Sequence, residues 1–256
     1  MNRITATFLK QKSLLNIFIT AGYPALDSLP TLASQLFEHG VDILEVGMPY
    51  SDPLADGPVI QETSSLALQN GITLQRIFEQ IKLIRQTEKD APIFLMGYLN
   101  QLLQFGPEAF CKACAEAEVD GLIIPDLPYE IYQEKYQSLL KTYGLAISFL
   151  VTPRTNDLRI KALDQACNSF LYIVSDNSIT GGSKDQFSSS QLAYFKRINS
   201  MKLKNPTMIG FGISSKKMLK QAGNYANGAI IGTAYLESVK RGEQSNFIKE
   251  LTQQNL

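Results

Sequence analysis

The chain has no excess charge of either sign: Lys plus Arg and Asp plus Glu each number 24 among 256 residues, for a formal net charge of zero. That balance removes the overall field that would recruit nucleic acid or an anionic membrane, and leaves a small, locally bound ligand as the better fit. Long hydrophobic runs are also lacking. Near the N-terminus LLNIFIT is too short for a secretory core, contains the polar Asn16 and is followed by no small-residue cleavage site. The other apolar runs are strand-length, far below the ~20 residues of a membrane helix, so a soluble, cytoplasmic protein is expected.

Metal-ligating residues are scarce. The one histidine, His39, stands before Gly40 in LFEHGVD, where it reads as a helix-ending position rather than a ligand. Cysteines number three. Cys111 and Cys114 have C-x-x-C spacing, but no second pair or nearby histidine completes a zinc site, and Cys167 stands apart. The alanine-rich helical pattern around the pair, EAFCKACAEAEVDG, marks these as buried packing thiols. No metal site is expected.

What the chain does have is a repeat. Eight β-rich apolar runs recur with helix-patterned stretches between them: LLNIFIT, DILEVG, PIFLMGY, GLIIPD, AISFLVT, FLYIVS, TMIGFG and GAIIGT. Continuous apolarity marks strands covered on both faces, as in a parallel sheet. Eight strands, intervening helices and a last helical stretch, SNFIKELTQQ, match an α/β fold of the (β/α)8 TIM-barrel type better than an open doubly wound sheet. The expectation is a single barrel domain over residues 1–256, with a short N-terminal helix in TATFLKQK closing its bottom. Units two and six, 42 to 92 and 169 to 206, exceed the usual ~30 residues of a barrel repeat. Extra length of that kind generally belongs to functional loops.

In such a barrel the reacting groups stand where each strand ends. Glu45 is an acid inside the apolar run DILEVG. Burying a carboxylate is expensive, so it reads as a functional acid, with a salt-bridged structural acid as the rival. MPYSDPLADGP follows, with Asp52 before Pro53 and Asp56 before Gly57. Both pairs suit a rigid turn equally well, yet eleven residues from Glu45 to Asp56 let a loop fold its acid back over the strand end. No lysine or histidine cluster marks the strand ends, which leaves acid–base chemistry by carboxylates, with Tyr98 and Tyr172 as either supporting or packing residues. Gly210, Gly212, Gly232 and Thr233 end the last two strands, the recurring place for a phosphate held by backbone N–H groups. Their rival role is to permit tight turns.

The stretch EVGMPYSDPLADGPVIQ strongly resembles the signature of the tryptophan synthase alpha chain family. FITAGYP, MGYLN, GLIIPDLP, GFGIS and IGTA resemble its other motifs in the same order along nearly the whole chain. The resemblance implies a lyase that cleaves indole-3-glycerol phosphate into indole and glyceraldehyde 3-phosphate. It implies no cofactor in this chain, and a pyridoxal-phosphate beta chain as partner, in an alpha2-beta2 heterotetramer, that receives the indole. By matching position, Glu45 would be the proton donor and acid–base group and Asp56 would hold the indole N–H. Phe18, Ile19, Tyr98, Ile123 and Tyr172 would line the indole pocket. Gly181, Gly210, Phe211, Gly212, Gly232 and Thr233 would hold the phosphate, and Asp52 would face the beta chain.

The chain departs from that family in one loop. After strand six the family commonly reads Ser-Arg-x-Gly-Val-Thr-Gly, a lid whose threonine contacts the catalytic aspartate. Here Thr180 and Gly181 match, but Asp176 replaces the arginine and Ser178 a glycine. A carboxylate near a phosphate dianion is repulsive, so an alternative stands beside the lyase: an alpha subunit impaired in cleavage that acts mainly as an allosteric activator of the beta subunit. A phosphosugar isomerase on a related barrel is disfavoured by the strand-two motif.

Overall fold

A computed structural model describes residues 2–10, 13–53, 56–175 and 186–253. The calls on Asp176, Ser178, Thr180 and Gly181 lie outside the described residues.

Each apolar run becomes a parallel strand: β1 Leu14–Thr20, β2 Ile43–Gly47, β3 Ile93–Met96, β4 Gly121–Ile123, β5 Ala146–Ser148, β6 Leu150–Val151, β7 Leu171–Val174, β8 Thr207–Gly210 and β9 Gly228–Ile231. Their order, β5-β4-β3-β2-β1-β9-β8-β7-β6, is that of a barrel. Nine strands arise from eight runs because AISFLVT is interrupted at Phe149. Its first half pairs with β4 and its second with β7, so this one run spans the seam of the ring. Phe149 turns its ring outward against Tyr129 and Tyr132, at 6.1 and 5.1 Å between centroids.

Apolar side chains fill two layers. An inner cluster including Leu14, Ile43, Phe94, Phe170 and Met208 occupies the ring, and a larger outer cluster joins strands to helices. Burial on both sides explains why the strands read as unbroken apolar runs. The N-terminal helix runs Arg3–Phe8, earlier than TATFLKQK suggests, because the Asn2 side chain accepts from Thr5 N–H and sets its start. Ile4 and Phe8 plug the barrel bottom, with Phe8 5.8 Å from the Phe170 ring. Arg3 pairs with Glu118 and, at 3.2 Å, with Asp120, whose other oxygen accepts from the buried Arg85 at 2.5 Å.

Cys111, Cys114 and Cys167 are buried free thiols. Burial pushes the Cys111 and Cys167 thiols up to about 11, which suits packing rather than reaction. His39 caps the C-terminus of helix Leu29–Glu38, and Gly40 follows with φ +84°. Among the described residues no helix is long and apolar enough to cross a membrane.

Candidate active site at the carboxyl ends of the strands

The Phe18–Glu45–Phe94 register across β1, β2 and β3 turns Glu45 toward the inside of the ring, where it is fully buried. Among the described residues its hydrogen-bond partner is the Asn16 amide, which donates to Oε2 at 3.1 Å; Oε1 has none. Burial pushes the Glu45 carboxyl up to about 8, the Asn16 hydrogen bond opposing and the nearby Asp56 adding to the rise. Glu45 therefore holds its proton at neutral pH.

Asp56 stands just before helix Pro58–Gln69 and is anchored through its own N–H to Pro53 C=O, at 3.3 Å. Its Oδ2 accepts from the Tyr98 hydroxyl at 3.1 Å. Burial raises its carboxyl above the ordinary value, and the Tyr98 bond works the other way. Two carboxyls thus face one space in different surroundings, an arrangement that divides acid and base roles between them.

Phe18, Glu45, Asp56, Tyr172, Phe211, Gly212, Gly232 and Thr233 line one cavity of ≈ 180 Å³, which brings together eight of the residues singled out in the sequence. Tyr98 lines a small adjoining cavity that shares Phe18 and Asp56. Small residues shape the walls. A Cβ at Gly47 would lie 2.3 Å from the Phe18 ring, and one at Gly210 would lie 2.4 Å from the Tyr172 ring, so each glycine lets an aromatic ring lie flat over a strand end. Gly210 therefore serves the cavity from behind Tyr172 rather than lining it. Burial keeps the Tyr172 phenol neutral, helped by its neighbours Glu45 and Asp56.

At the end of β8, Phe211 and Gly212 take φ +70° and +68°. For Phe211 this left-handed conformation costs about 1–3 kcal/mol and persists only where neighbours hold it. The buried Ser175, at the end of β7, does so: its N–H donates to Gly210 C=O at 3.0 Å and its hydroxyl to Phe211 C=O at 2.5 Å. After β9, Gly232 and Thr233 open helix Thr233–Lys240 beside the same cavity. The first N–H groups of a helix lack intrahelical partners and favour an anion.

Two expected pocket residues are placed elsewhere. Ile19 follows Phe18 on β1 and, by strand alternation, faces the opposite way, into the outer cluster against the helices. Ile123 lies in the inner packed cluster rather than at either cavity. Asp52 is exposed and accepts from the Ser51 hydroxyl at 2.6 Å. Sequence reading missed Met96, Ser214 and Glu237, all of which line the cavity. Glu237 had a signal: it lies four residues after Thr233, hence on the same helix face. Ser175 and Asn16 had a fainter one, each being a polar residue in or ending an apolar run.

A family model described as tryptophan synthase alpha chain matches residues 5–255. A tryptophan synthase alpha chain of Flavobacterium johnsoniae is 47% identical over 254 residues, covering 98% of this chain and 100% of the relative. That of Flavobacterium psychrophilum is 48% identical over 249 residues, covering 97% and 98%. Among solved structures, tryptophan synthase subunit alpha from Legionella pneumophila superposes with a TM-score of 0.89 at 32% identity, covering 98% of this chain and 97% of that one. A chain of the aminoacrylate-bound tryptophan synthase from M. tuberculosis gives 0.86 at 26% identity, covering 98% of both.

Proposed function

The chain belongs to the tryptophan synthase alpha chain family, and from that premise we propose that its cavity cleaves indole-3-glycerol phosphate to indole and glyceraldehyde 3-phosphate through Glu45 and Asp56. The observation that carries this reading is a fully buried acid facing the same cavity as a second acid that is hydrogen-bonded by Tyr98; burial pushes the first of them up to about 8.

Glu45 gives its proton to the indole carbon that bears the glycerol chain, which turns the ring into an iminium. Asp56 accepts the ring N–H and stabilises that positive charge. The Glu45 carboxylate then takes the proton of the adjacent glycerol hydroxyl. As the O–H electrons form the aldehyde C=O, the carbon–carbon bond breaks and its electron pair returns to the ring as neutral indole. One group thus serves as acid and then as base, which favours a pKa near the working pH.

Phe18 and Tyr172 offer apolar faces for the indole ring. The Phe211–Gly212 turn and the helix start at Gly232 and Thr233 offer N–H groups for the phosphate. The family's alpha chain has no cofactor of its own and works with a beta chain. That this beta chain carries pyridoxal phosphate and that the pair assembles as alpha2-beta2, with Asp52 toward the partner, are parts of the proposal, as is action in the cytoplasm. Nothing among the described residues favours an impaired subunit over a working lyase.

Single-turnover cleavage by the purified alpha–beta complex tests the assignment. Glu45→Gln should lower the rate by at least about a thousandfold, a typical loss for a general acid–base group at the upper end of its range. Asp56→Asn should lose about a hundredfold. Near wild-type cleavage by Glu45→Gln would sink the assignment.

A further inference from the structure

Asn16 is a polar residue with no exposure in the middle of β1, on the inner side of the ring with Leu14 and Phe18 to either side along the strand. A buried amide is costly unless its donor and acceptor are both used. Only half of this one is satisfied: Nδ2 donates to Glu45 Oε2 at 3.1 Å, while Asn16 Oδ1 has no partner. Glu45 Oε1 is likewise buried without one. Two unsatisfied acceptors on the two members of one hydrogen-bonded pair point to a proton. An ionised Glu45 offers neither oxygen a donor, whereas a protonated Glu45 has a hydroxyl to donate.

We infer that Asn16 is a positioning residue for the acid–base group: its amide anchors Oε2 of Glu45, so that Oε1 is the oxygen that delivers the proton and takes one back. This rests on the reading of Glu45 as proton donor. A primary amide suits an acid that changes protonation twice per turnover, because Nδ2 donates to Oε2 in the carboxylate and in the acid, while Oδ1 can accept from the Oε1 hydroxyl before substrate takes its proton. An aliphatic side chain does neither.

The other titratable groups around Glu45 do not do this work. Asp56, from the loop after β2, raises its pKa. The Tyr172 phenol, on β7, is itself kept neutral by burial and by the two acids, and the Tyr98 hydroxyl is directed to Asp56. Glu237, across the cavity on helix Thr233–Lys240, is another acid. The Asn16 amide is the group opposing burial and favouring the carboxylate.

The test uses the full-length chain in complex with its beta chain. It compares Asn16→Leu, which keeps the branched skeleton of the side chain and removes both polar atoms, with Asn16→Thr, which keeps a hydroxyl. The readouts are the infrared carboxylic-acid band of Glu45, identified by its loss in Glu45→Gln, and the pH profile of kcat and KM. In Asn16→Leu the band's titration midpoint should move up by about one unit and kcat should fall about tenfold, with KM changed less than about twofold. Asn16→Thr should recover at least about half of the midpoint shift, and if the Leu variant fails to fold it carries the test alone, by an upward shift of up to about half a unit against wild type. An unmoved midpoint in both variants overturns the inference. Full activity in Glu45→Gln removes the proton-donor reading and the inference with it. An inactive Glu45→Gln with an unmoved midpoint removes the inference alone.

Discussion

A carboxyl group with no exposure and a neutral amide as its hydrogen-bond donor keeps its proton well above the pH at which a free glutamate loses it. For Glu45 the folded value of about 8 lies above the ordinary 4.5. The folded protein therefore binds more protons than the unfolded chain between those two values, and stability falls as pH rises through that window. Below about pH 4.5 the residue carries no such penalty; above about 8 the penalty is complete. Glu45→Gln keeps the shape without an ionisable proton, so it should be more stable than wild type at pH 8.5 by a few kcal/mol, with roughly 5 as the ceiling. The gain should shrink to nothing near pH 4.5. Denaturant unfolding of both proteins across that range measures this, and an equal difference at every pH would show that Glu45 is not held protonated. The same substitution is expected to abolish cleavage, so stability and activity should move in opposite directions, as they do where a fold retains an unfavourable group for its chemistry.

Strand ends hold the site through cross-strand bonds that no single segment reveals. Ser175 ends β7 yet fixes the turn after β8 by its bond to Phe211 C=O. Ser175→Ala should release Phe211 and Gly212 from their left-handed conformations part of the time. The expected result is a rise in KM for indole-3-glycerol phosphate of about three- to tenfold with little loss of kcat, since a hydrogen bond of this kind contributes about 1 kcal/mol and acts here on binding. Steady-state kinetics checks it; a loss confined to kcat would place Ser175 in the chemistry instead. This example also marks what the sequence can and cannot say. The eight apolar runs locate all the strands, and Glu45 stands out because an acid inside such a run has few other reasons to be there. Register is another matter. Ile19 was expected in the pocket beside Phe18, but adjacent strand residues face opposite sides, so one of the pair had to face the helices. Asn16 looked like no more than a polar interruption until the β1–β2 pairing set it against Glu45. The break at Phe149 was hidden too, because both halves of AISFLVT are equally apolar and only their partners differ.

Across the whole molecule the two ends of the barrel are built from different materials. The cavity end has acids, aromatic faces, glycines and strained turns, and among the described residues lining the cavity there is no Lys or Arg. At the other end the N-terminal helix is held down by Arg3, Glu118, Asp120 and Arg85. Arg85 is 2% exposed and donates to Asp120 Oδ2 and to the C=O groups of Glu118, Glu88 and Ala91, while Asp120 Oδ2 also accepts from Ile93 N–H at the start of β3. Burial lowers the pKa of this guanidinium, but the adjacent Asp120 opposes that change. Arg85→Ala would take from Asp120 the nearer of its two guanidinium partners and leave three carbonyls short of a donor. Breaking a buried pair in this one-sided way typically costs about 3–5 kcal/mol. For a chain of this size that corresponds to a Tm lower by roughly 10 °C. Because β3 leads from this network to Met96 at the cavity, the decisive measurement pairs thermal unfolding with kcat/KM at a temperature where the variant is still folded. Stability lost with kcat/KM within about twofold of wild type would mean that the ends act independently, as the barrel architecture implies. A large fall in kcat/KM in the folded variant would mean instead that β3 transmits the loss along its length to the Met96 wall of the cavity.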